Sequence, residues 1–313
     1  MRTEYGRALL EIGRDNDDVV VLGADTTDSL KTAGFGREFP DRLFNVGIAE
    51  GNMVSMAAGL AYSGKIPFAS TYAIFLPGRA VDQIRNNVAY PTRDDRRGLN
   101  VKLVASHGGL SVGADGGSHQ QLEDIAIMRA IPNFTVLVPA DSASVYSLTH
   151  TMAKVYGPFY MRMARSKTTM VYDDNCDILP GKATILRDGS DCTIAACGIT
   201  VAMALEAAST LHKEGISCQV LDVFSIKPID DITLEQAARH TGRILTCEEH
   251  NTIGGMGSAV AESVSSSYPV IVRRVGVNDT FGESARDAQV PELLAQHGLS
   301  SINITKQVRE LVR

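Results

Sequence analysis

The sequence has no tryptophan, only five cysteines and no surplus of positive charge. None of the cysteines forms a C-x-x-C pair, which excludes the usual zinc-ribbon and dithiol-redox spacings. Cys192, Cys197, Cys218 and Cys247 sit in or beside apolar, strand-like runs and read as buried thiols of a reducing compartment. The 30 Lys and Arg against 36 Asp and Glu leave a net charge of -6, so there is no footprint for nucleic acid or an anionic membrane. No apolar run is long enough to cross a bilayer, and the start, MRTEYGRALLEIG, lacks a signal-peptide pattern. A cytoplasmic location is therefore expected. Heptads, short repeats and low-complexity tracts are also missing.

What is present is a two-domain α/β pattern. A length of 313 residues fits about two domains of ordinary size, and 44% apolar with 21% charged residues is a globular composition. Short β-branched runs alternate with longer helical ones, the mark of mostly parallel sheets flanked by helices. Strands are expected over 19–22, 43–46, 66–70, 101–105, 135–138 and 159–163, with helices over 3–13, 49–62, 77–89, 121–130 and 142–155. Asp141 follows Pro139 and precedes an apolar-periodic run, as an N-cap does. Periodicity weakens where Asp173, Asp174, Asn175, Asp177, Pro180 and Gly181 cluster, and residues 168–184 read as a linker. It separates a first domain, 1–167, from a second, 185–313. In the second, strands are expected over 192–196, 217–223, 243–247 and 270–275, and helices over 201–213, 234–241, 257–266, 290–296 and 304–312.

Four segments carry groups with chemistry. The richest is SHGGLSVGADGGSHQ, residues 106–120, between an apolar strand and a helix. Ligands of open α/β sheets bind beyond the carboxyl ends of the strands, where this loop belongs. Its glycines allow close backbone approach, and His107, His119 and Asp115 supply donors, acceptors and proton carriers. A surface loop with scattered polar residues is the alternative. It is neither a P-loop nor a dinucleotide fingerprint, and its histidines lack a cysteine pair for zinc. A second segment, NVGIAEGN, puts Glu50 in the first turn of a helix, either as a complement to the helix dipole or as a carboxyl group at a ligand crevice. In a third, STYAIFL, Tyr72 and Phe75 share a face, as core or as a platform for a flat ring. The fourth, TCEEHN leading into GGMGS, reads as strand-to-helix packing ahead of an anion site.

Taken together these segments resemble the transketolase family almost end to end. Gly-Ala-Asp-Gly-Gly-Ser-His-Gln, residues 113–120, is the most specific match; VGIAE and TYAIFL are shared with the wider group of thiamine enzymes. The N-terminal half resembles the pyrimidine-binding domain. The C-terminal half is similar to the family's C-terminal domain, with 198–208, 248–258 and Phe281-Gly282-Glu283-Ser284 as landmarks. The resemblance implies thiamine diphosphate as cofactor, with Glu50 bonding its aminopyrimidine and Tyr72 and Phe75 holding the ring. It implies that His107 and His119 line the donor sugar, that Asp115 bonds its hydroxyls and that Asp25 lies near the cofactor. Arg165, Arg2 and Ser29 match positions that grip a sugar-phosphate tail, a task suited to the planar arginine fork. A third ring-holding position falls at Gly78, so part of that wall must come from elsewhere, such as Arg79.

Full-length transketolases begin with a diphosphate domain whose Gly-Asp-Gly and a downstream Asn hold a divalent ion, and this sequence has no such motif. The resemblance therefore implies one subunit of a split enzyme. Mg2+ would be bound mainly by an N-terminal partner subunit, the assembly would be α2β2 around a homodimeric core of this chain, and the loop 108–117 would be exposed and poorly ordered without the partner. A deoxyxylulose-phosphate synthase half, a 2-oxoacid dehydrogenase β subunit and a non-catalytic regulatory subunit are the alternatives. His119-Gln120 followed by Glu123-Asp124 favours transketolase over the first two, and retention of Glu50, Asp115, His107 and His119 argues against the third.

Overall fold

The apolar runs of the first half assemble into one sheet. The computed structural model describes residues 1–173 and 176–313; Asp174 and Asn175 of the expected linker lie outside the described residues. In chain order the first half forms α1 (Arg2–Asp15), β1 (Val19–Gly23), α2 (Ala33–Glu38), β2 (Leu43–Asn45), α3 (Glu50–Tyr62), β3 (Ile66–Tyr72) and α4 (Leu76–Gln83). It continues with β4 (Thr92–Arg93), β5 (Arg96–Arg97), β6 (Lys102–Ser106), α5 (Asp124–Ala130), β7 (Thr135–Leu137), α6 (Ser142–Lys154) and β8 (Phe159–Arg162). The second half forms β9 (Thr184–Arg187), β10 (Cys192–Ala196), α7 (Thr200–His212), β11 (Cys218–Asp222), β12 (Ser225–Lys227) and α8 (Asp231–Thr241). It ends with β13 (Arg243–Asn251), α9 (Met256–Ser267), β14 (Ile271–Val277), α10 (Val290–Gln296) and α11 (Ser301–Val312).

The fold is α/β with mostly parallel sheets flanked by helices, as expected. The first sheet runs β12-β7-β8-β6-β3-β1-β2 and is parallel apart from β12; the second runs β14-β13-β10-β11-β9 and is parallel apart from β9. Strands β1 and β6 are buried along their whole length, because helices cover both faces of the sheet. Tyr5, Leu9 and Ile12 of α1 pack with Val145, Leu148 and Met152 of α6 on one face. Met53, Val54 and Ala57 of α3 pack with Leu76 and Ile84 on the other. Asp141 caps α6: Oδ1 accepts the Ser144 N–H at 2.9 Å, and the Ser144 hydroxyl oxygen accepts the Asp141 N–H at 3.0 Å. Its other oxygen, Oδ2, accepts the N–H groups of Val171 and Tyr172, tying the segment after β8 to this helix.

The structure differs from the sequence expectations in several places. Strand β12 comes from the second half of the chain yet joins the first sheet, pairing Ser225 with Leu137 and Lys227 with Val136. The stretch 77–89 divides into α4 and a π-helical turn, Ile84–Ala89. Helix α5 starts at Asp124, later than expected, because Gly117–His119 form a 3-10 turn and Gln121 bridges to Gly108. Strand β13 runs through Glu248, Glu249 and His250, which stay extended and buried. Cys192, Cys197, Cys218 and Cys247 are buried, and burial raises all four thiols above the usual range, Cys192 and Cys218 to about 12. Among the described residues no helix is long and apolar enough to cross a membrane.

Candidate active site

The parallel sheet sorts the candidate residues by strand. Asp25 follows β1, Glu50 follows β2 across a short loop, Tyr72 ends β3, His107 follows β6 and Arg165 follows β8. Sheet order therefore lays them side by side, from Arg165 through His107, Tyr72 and Asp25 to Glu50, along the carboxyl edge where open α/β sheets bind ligands.

Glu50 begins α3 with its side chain 4% exposed. Its Oε1 accepts from Arg79 Nη1 at 3.0 Å, and Oε2 has no hydrogen bond to the described residues. The Arg79 guanidinium lies 4.0 Å from the centre of the Phe75 ring, and Phe75 is nearly parallel to Tyr72, with centroids 5.6 Å apart and planes at 21°. Arg79 thus stands beside Phe75 and Glu50, while a Cβ on its neighbour Gly78 would meet nothing within 4 Å apart from its chain neighbours. The Tyr72 ring stacks on His107 with centroids 3.8 Å apart, and the His119 ring meets Phe75 and Tyr72 edge to face with centroids 5.4 and 6.2 Å away. One buried carboxylate, two parallel rings and two imidazoles line a single wall.

His107 is 1% exposed and holds φ at +62°, a region that residues with a Cβ seldom enter. Its Nδ1 lies 2.7 Å from Ser106 Oγ, and Nε2 lies 3.6 Å from Asp115 Oδ2. Burial, followed by the charges of Arg2 and Arg165, lowers its pKa to about 3, so the ring stays neutral at physiological pH and can both donate and accept. Beyond it, Arg165 pairs with Asp115 at 3.5 Å and with Asp287 at 2.8 Å. Arg2 Nη1 donates to the Ser29 carbonyl at 3.0 Å and hydroxyl at 3.1 Å, and Nη2 to the Arg165 carbonyl at 3.4 Å. Ser29 also accepts the Tyr72 hydroxyl at 2.9 Å. Arg2, Ser29, Arg165, Asp115, His107 and Tyr72 are thus one connected set. A cavity of about 900 Å³ opens beside Arg2 and Arg165, with Ile199, Met203, Leu294 and Leu299 of the second domain on its far side.

Asp25 is on the same edge but bonded to a different partner. Its N–H donates to Asn45 Oδ1 at 3.0 Å and its carboxylate accepts from Asn45 at 3.4 Å. The loop 108–117 departs in part from expectation: Ala114 and Asp115 are exposed, but residues 108–113 and Gly116 are buried, with Arg162 against Gly108 and Glu249, Asp287 and Ser284 of the second half against Gly109, Gly113 and Gly116. A Cβ on Gly116 would lie 2.2 Å from Ser284 Oγ, and one on Gly117 would lie 2.7 Å from the Gly282 carbonyl. Gln120 Nε2 donates to the carbonyls of Leu110 and Glu283 at 3.1 and 2.9 Å. Nothing in the sequence singles out Asp287 and Arg162, and Glu249 stands there only as part of a strand-to-helix packing segment. Glycines 108, 109 and 113 mark the places where Arg162, Glu249 and Asp287 come close, without naming them.

Residues 1–170 match the description "Transketolase, pyrimidine binding domain" and residues 181–304 match "Transketolase, C-terminal domain". A Methanocaldococcus jannaschii protein named as a transketolase C-terminal section is 45% identical over 313 residues, 99% of this chain and 95% of that one. A 6-deoxy-6-sulfo-D-fructose transketolase subunit of a Clostridium species is 39% identical over 99% of this chain and 94% of its own. A solved structure described as a split gene transketolase, inactive beta4 tetramer, is 46% identical, covers 99% of this chain and 97% of that chain, and superposes with a TM-score of 0.90. The chain belongs to the transketolase family, whose members depend on thiamine diphosphate.

Proposed function

We propose that this chain is the pyrimidine-side subunit of a two-chain transketolase, transferring a two-carbon ketol unit from a ketose phosphate to an aldose phosphate. The observation that carries this reading is the single line from Glu50 through Phe75, Tyr72, His107 and Asp115 to Arg165. The donor set fits a flat, nitrogen-containing ring: Glu50 has an oxygen free of protein hydrogen bonds among the described residues, and Tyr72 and Phe75 offer near-parallel faces beside it. Thiamine diphosphate, when bound, supplies the carbon–carbon bond chemistry. Glu50 would bond the aminopyrimidine, with Tyr72 and Phe75 against the ring and Asp25 nearby. His107 and His119 would line the donor sugar. The neutral His107 suits contact with sugar hydroxyls, since it adds no charge to a site that already holds two arginines. Asp115 would orient those hydroxyls, and Arg165, Arg2 and Ser29 would receive the anionic tail.

Mg2+ would reside with the diphosphate-binding partner subunit: among the described residues no group of three or more His, Cys, Asp or Glu stands together to hold a metal. Each site would lie between unlike chains of an α2β2 assembly in the cytoplasm, with 168–184 as the linker between the domains of this chain. A second reading concerns only the tail. The relative named for a 6-deoxy-6-sulfo-D-fructose substrate points to a sulfonate, which the same arginines would bond. Mixing the chain with its partner subunit, thiamine diphosphate and Mg2+ should give turnover of a ketose and an aldose phosphate, and the chain alone should give none. Turnover by the chain alone would sink the two-chain reading, and a clear preference for the sulfonated ketose would select the second tail.

A further inference from the structure

The second domain meets the His107 loop from below, through strand β13. Glu249 on that strand is buried, and its Oε1 accepts the Ser111 N–H at 2.5 Å. The loop is shaped to receive it. A Cβ on Gly109, which holds φ at +84°, would stand 2.2 Å from Glu249 Cδ. The preceding glycine faces Arg162 in the same way, with a Cβ on Gly108 falling 2.4 Å from Arg162 Nε. Arg162 is buried too, and ties the pieces together: Nη2 donates to the carbonyls of Glu249 at 2.8 Å and Gln121 at 3.2 Å. Its Nε lies 3.0 Å from Asp124 Oδ2, close enough for an ion pair though out of line for a hydrogen bond. The two glycines after His107 are thus seats for Glu249 and Arg162.

His107 itself sits at φ +62°. A residue with a Cβ stays in that region only where its surroundings over-determine it. Three backbone bonds do so here: Gly108 N–H to the Met163 carbonyl at 3.1 Å, Gly109 N–H to the Gln121 carbonyl at 2.8 Å, and Ser111 N–H to Glu249. Only the last comes from the second domain. We propose that Glu249 is a positioning residue, through which the second domain fixes the loop so that His107 stacks on Tyr72 and points Nε2 at Asp115. This gives the second domain a task in the chemistry beyond packing, and its kinetic part rests on the transketolase reading.

The test compares Glu249→Ala and Glu249→Gln in the full chain assembled with its partner subunit. Glutamine keeps the shape and an acceptor for Ser111; alanine leaves a buried N–H unpaired. Hydrogen exchange at 109–113 should rise about tenfold or more in the alanine variant, the scale set by loss of a charge-assisted bond, and should return most of the way in the glutamine variant. Donor turnover should follow the same order, with a smaller change in half-saturation by thiamine diphosphate, since Glu50 and Phe75 are untouched and only the Tyr72 side of the ring site adjoins the loop. Unchanged loop exchange in the alanine variant would overturn the proposal, as would raised loop exchange with wild-type turnover. Equal losses in both variants with exchange spread along all of β13 would also overturn it, leaving Glu249 a stabiliser of the fold. If the wild-type assembly has no transketolase turnover, the functional reading fails, and loop exchange alone decides the clamp.

Discussion

His107 lies face to face with Tyr72, ring centroids 3.8 Å apart and planes inclined by 28°. The stack removes one face of the imidazole from water, and Arg2 and Arg165 add positive charge nearby, so its pKa falls to about 3. His107 should therefore stay neutral across pH 5 to 8. In a histidine-resolved NMR titration its ring resonances should hold constant over that range. A His107 signal titrating near 6.5 would contradict the buried stack.

The same burial links stability to pH. His107 and His250 have folded pKa values of about 3 and 4 against an ordinary 6.5, so the unfolded chain takes up protons that the folded chain refuses. Their contribution is present above pH 6.5 and is lost as pH falls towards 4. Glu248 and Glu249 have the opposite sign. Burial raises both to about 7, and raises Asp222 to about 8, so their contribution is present at low pH and is lost as pH rises through 7 to 8. Between pH 6.5 and 8.5 these carboxyl groups pull the melting temperature down as pH rises, against the N-terminal amine and Lys102, whose lowered pKa values act the other way. Asp222→Asn, which keeps an acceptor for the Tyr172 hydroxyl, should lessen that downward pull in calorimetric scans at several pH values.

Replacing Glu50 with Gln should cut turnover by roughly 100- to 10,000-fold, the range for a lost acid–base group, while leaving the melting temperature near wild type. Glutamine can still accept from Arg79, so the wall keeps its shape. Near-normal turnover at saturating cofactor would reduce Glu50 to a helix-start residue.

Arg165→Ala should raise the KM for phosphorylated sugars by about ten- to a hundredfold, the cost of a charge-assisted bond pair, and should spare a small unphosphorylated donor. Because Arg165 also holds Asp115 and Asp287, Asp287→Asn provides the control. It loosens one hold on the arginine without removing the charge, and should shift KM far less. Equal effects of Arg165→Ala on both donors would remove it from the tail site.

Local pattern carried much of this structure. The run Val19–Gly23 is apolar throughout because both its faces are covered, and the cap at Asp141 announces α6 from its neighbours alone. Strands β9 and β12 were not legible: they are three or four residues long, too short for a period, and exist because an edge was open to receive them. The expected strand stops at Cys247, but Glu248-Glu249-His250 continue it. They are strand because distant groups satisfy the charges, among them the Met256 and Gly257 N–H groups that reach Glu248 at 2.6 and 2.8 Å. In the site, the sequence alone places the loop 106–120 at a strand end, and the resemblance names Glu50, Tyr72, His107 and Arg165 without their order across the sheet. Arg79 can be named from its place beside Gly78, but Asp287 and Glu249 reach the site through chain crossings that no local window contains.

Strand β12 has a mechanical consequence. The chain leaves the first sheet at β8, builds three strands of the second, and then returns to lay 225–227 against β7 before going back. The return is anchored by the Val138 N–H bonded to the Phe224 carbonyl at 2.8 Å and by Lys227 Nζ on the carbonyls of Arg129 and Ile131 at 2.9 and 2.6 Å. The two halves are laced like a boot, and cutting the connection near residue 175 would not free either one. A chain nicked there should stay together on a sizing column and unfold in one transition. A fragment ending at residue 170 would carry a raw sheet edge at β7, the kind of surface that draws stray strands and aggregates.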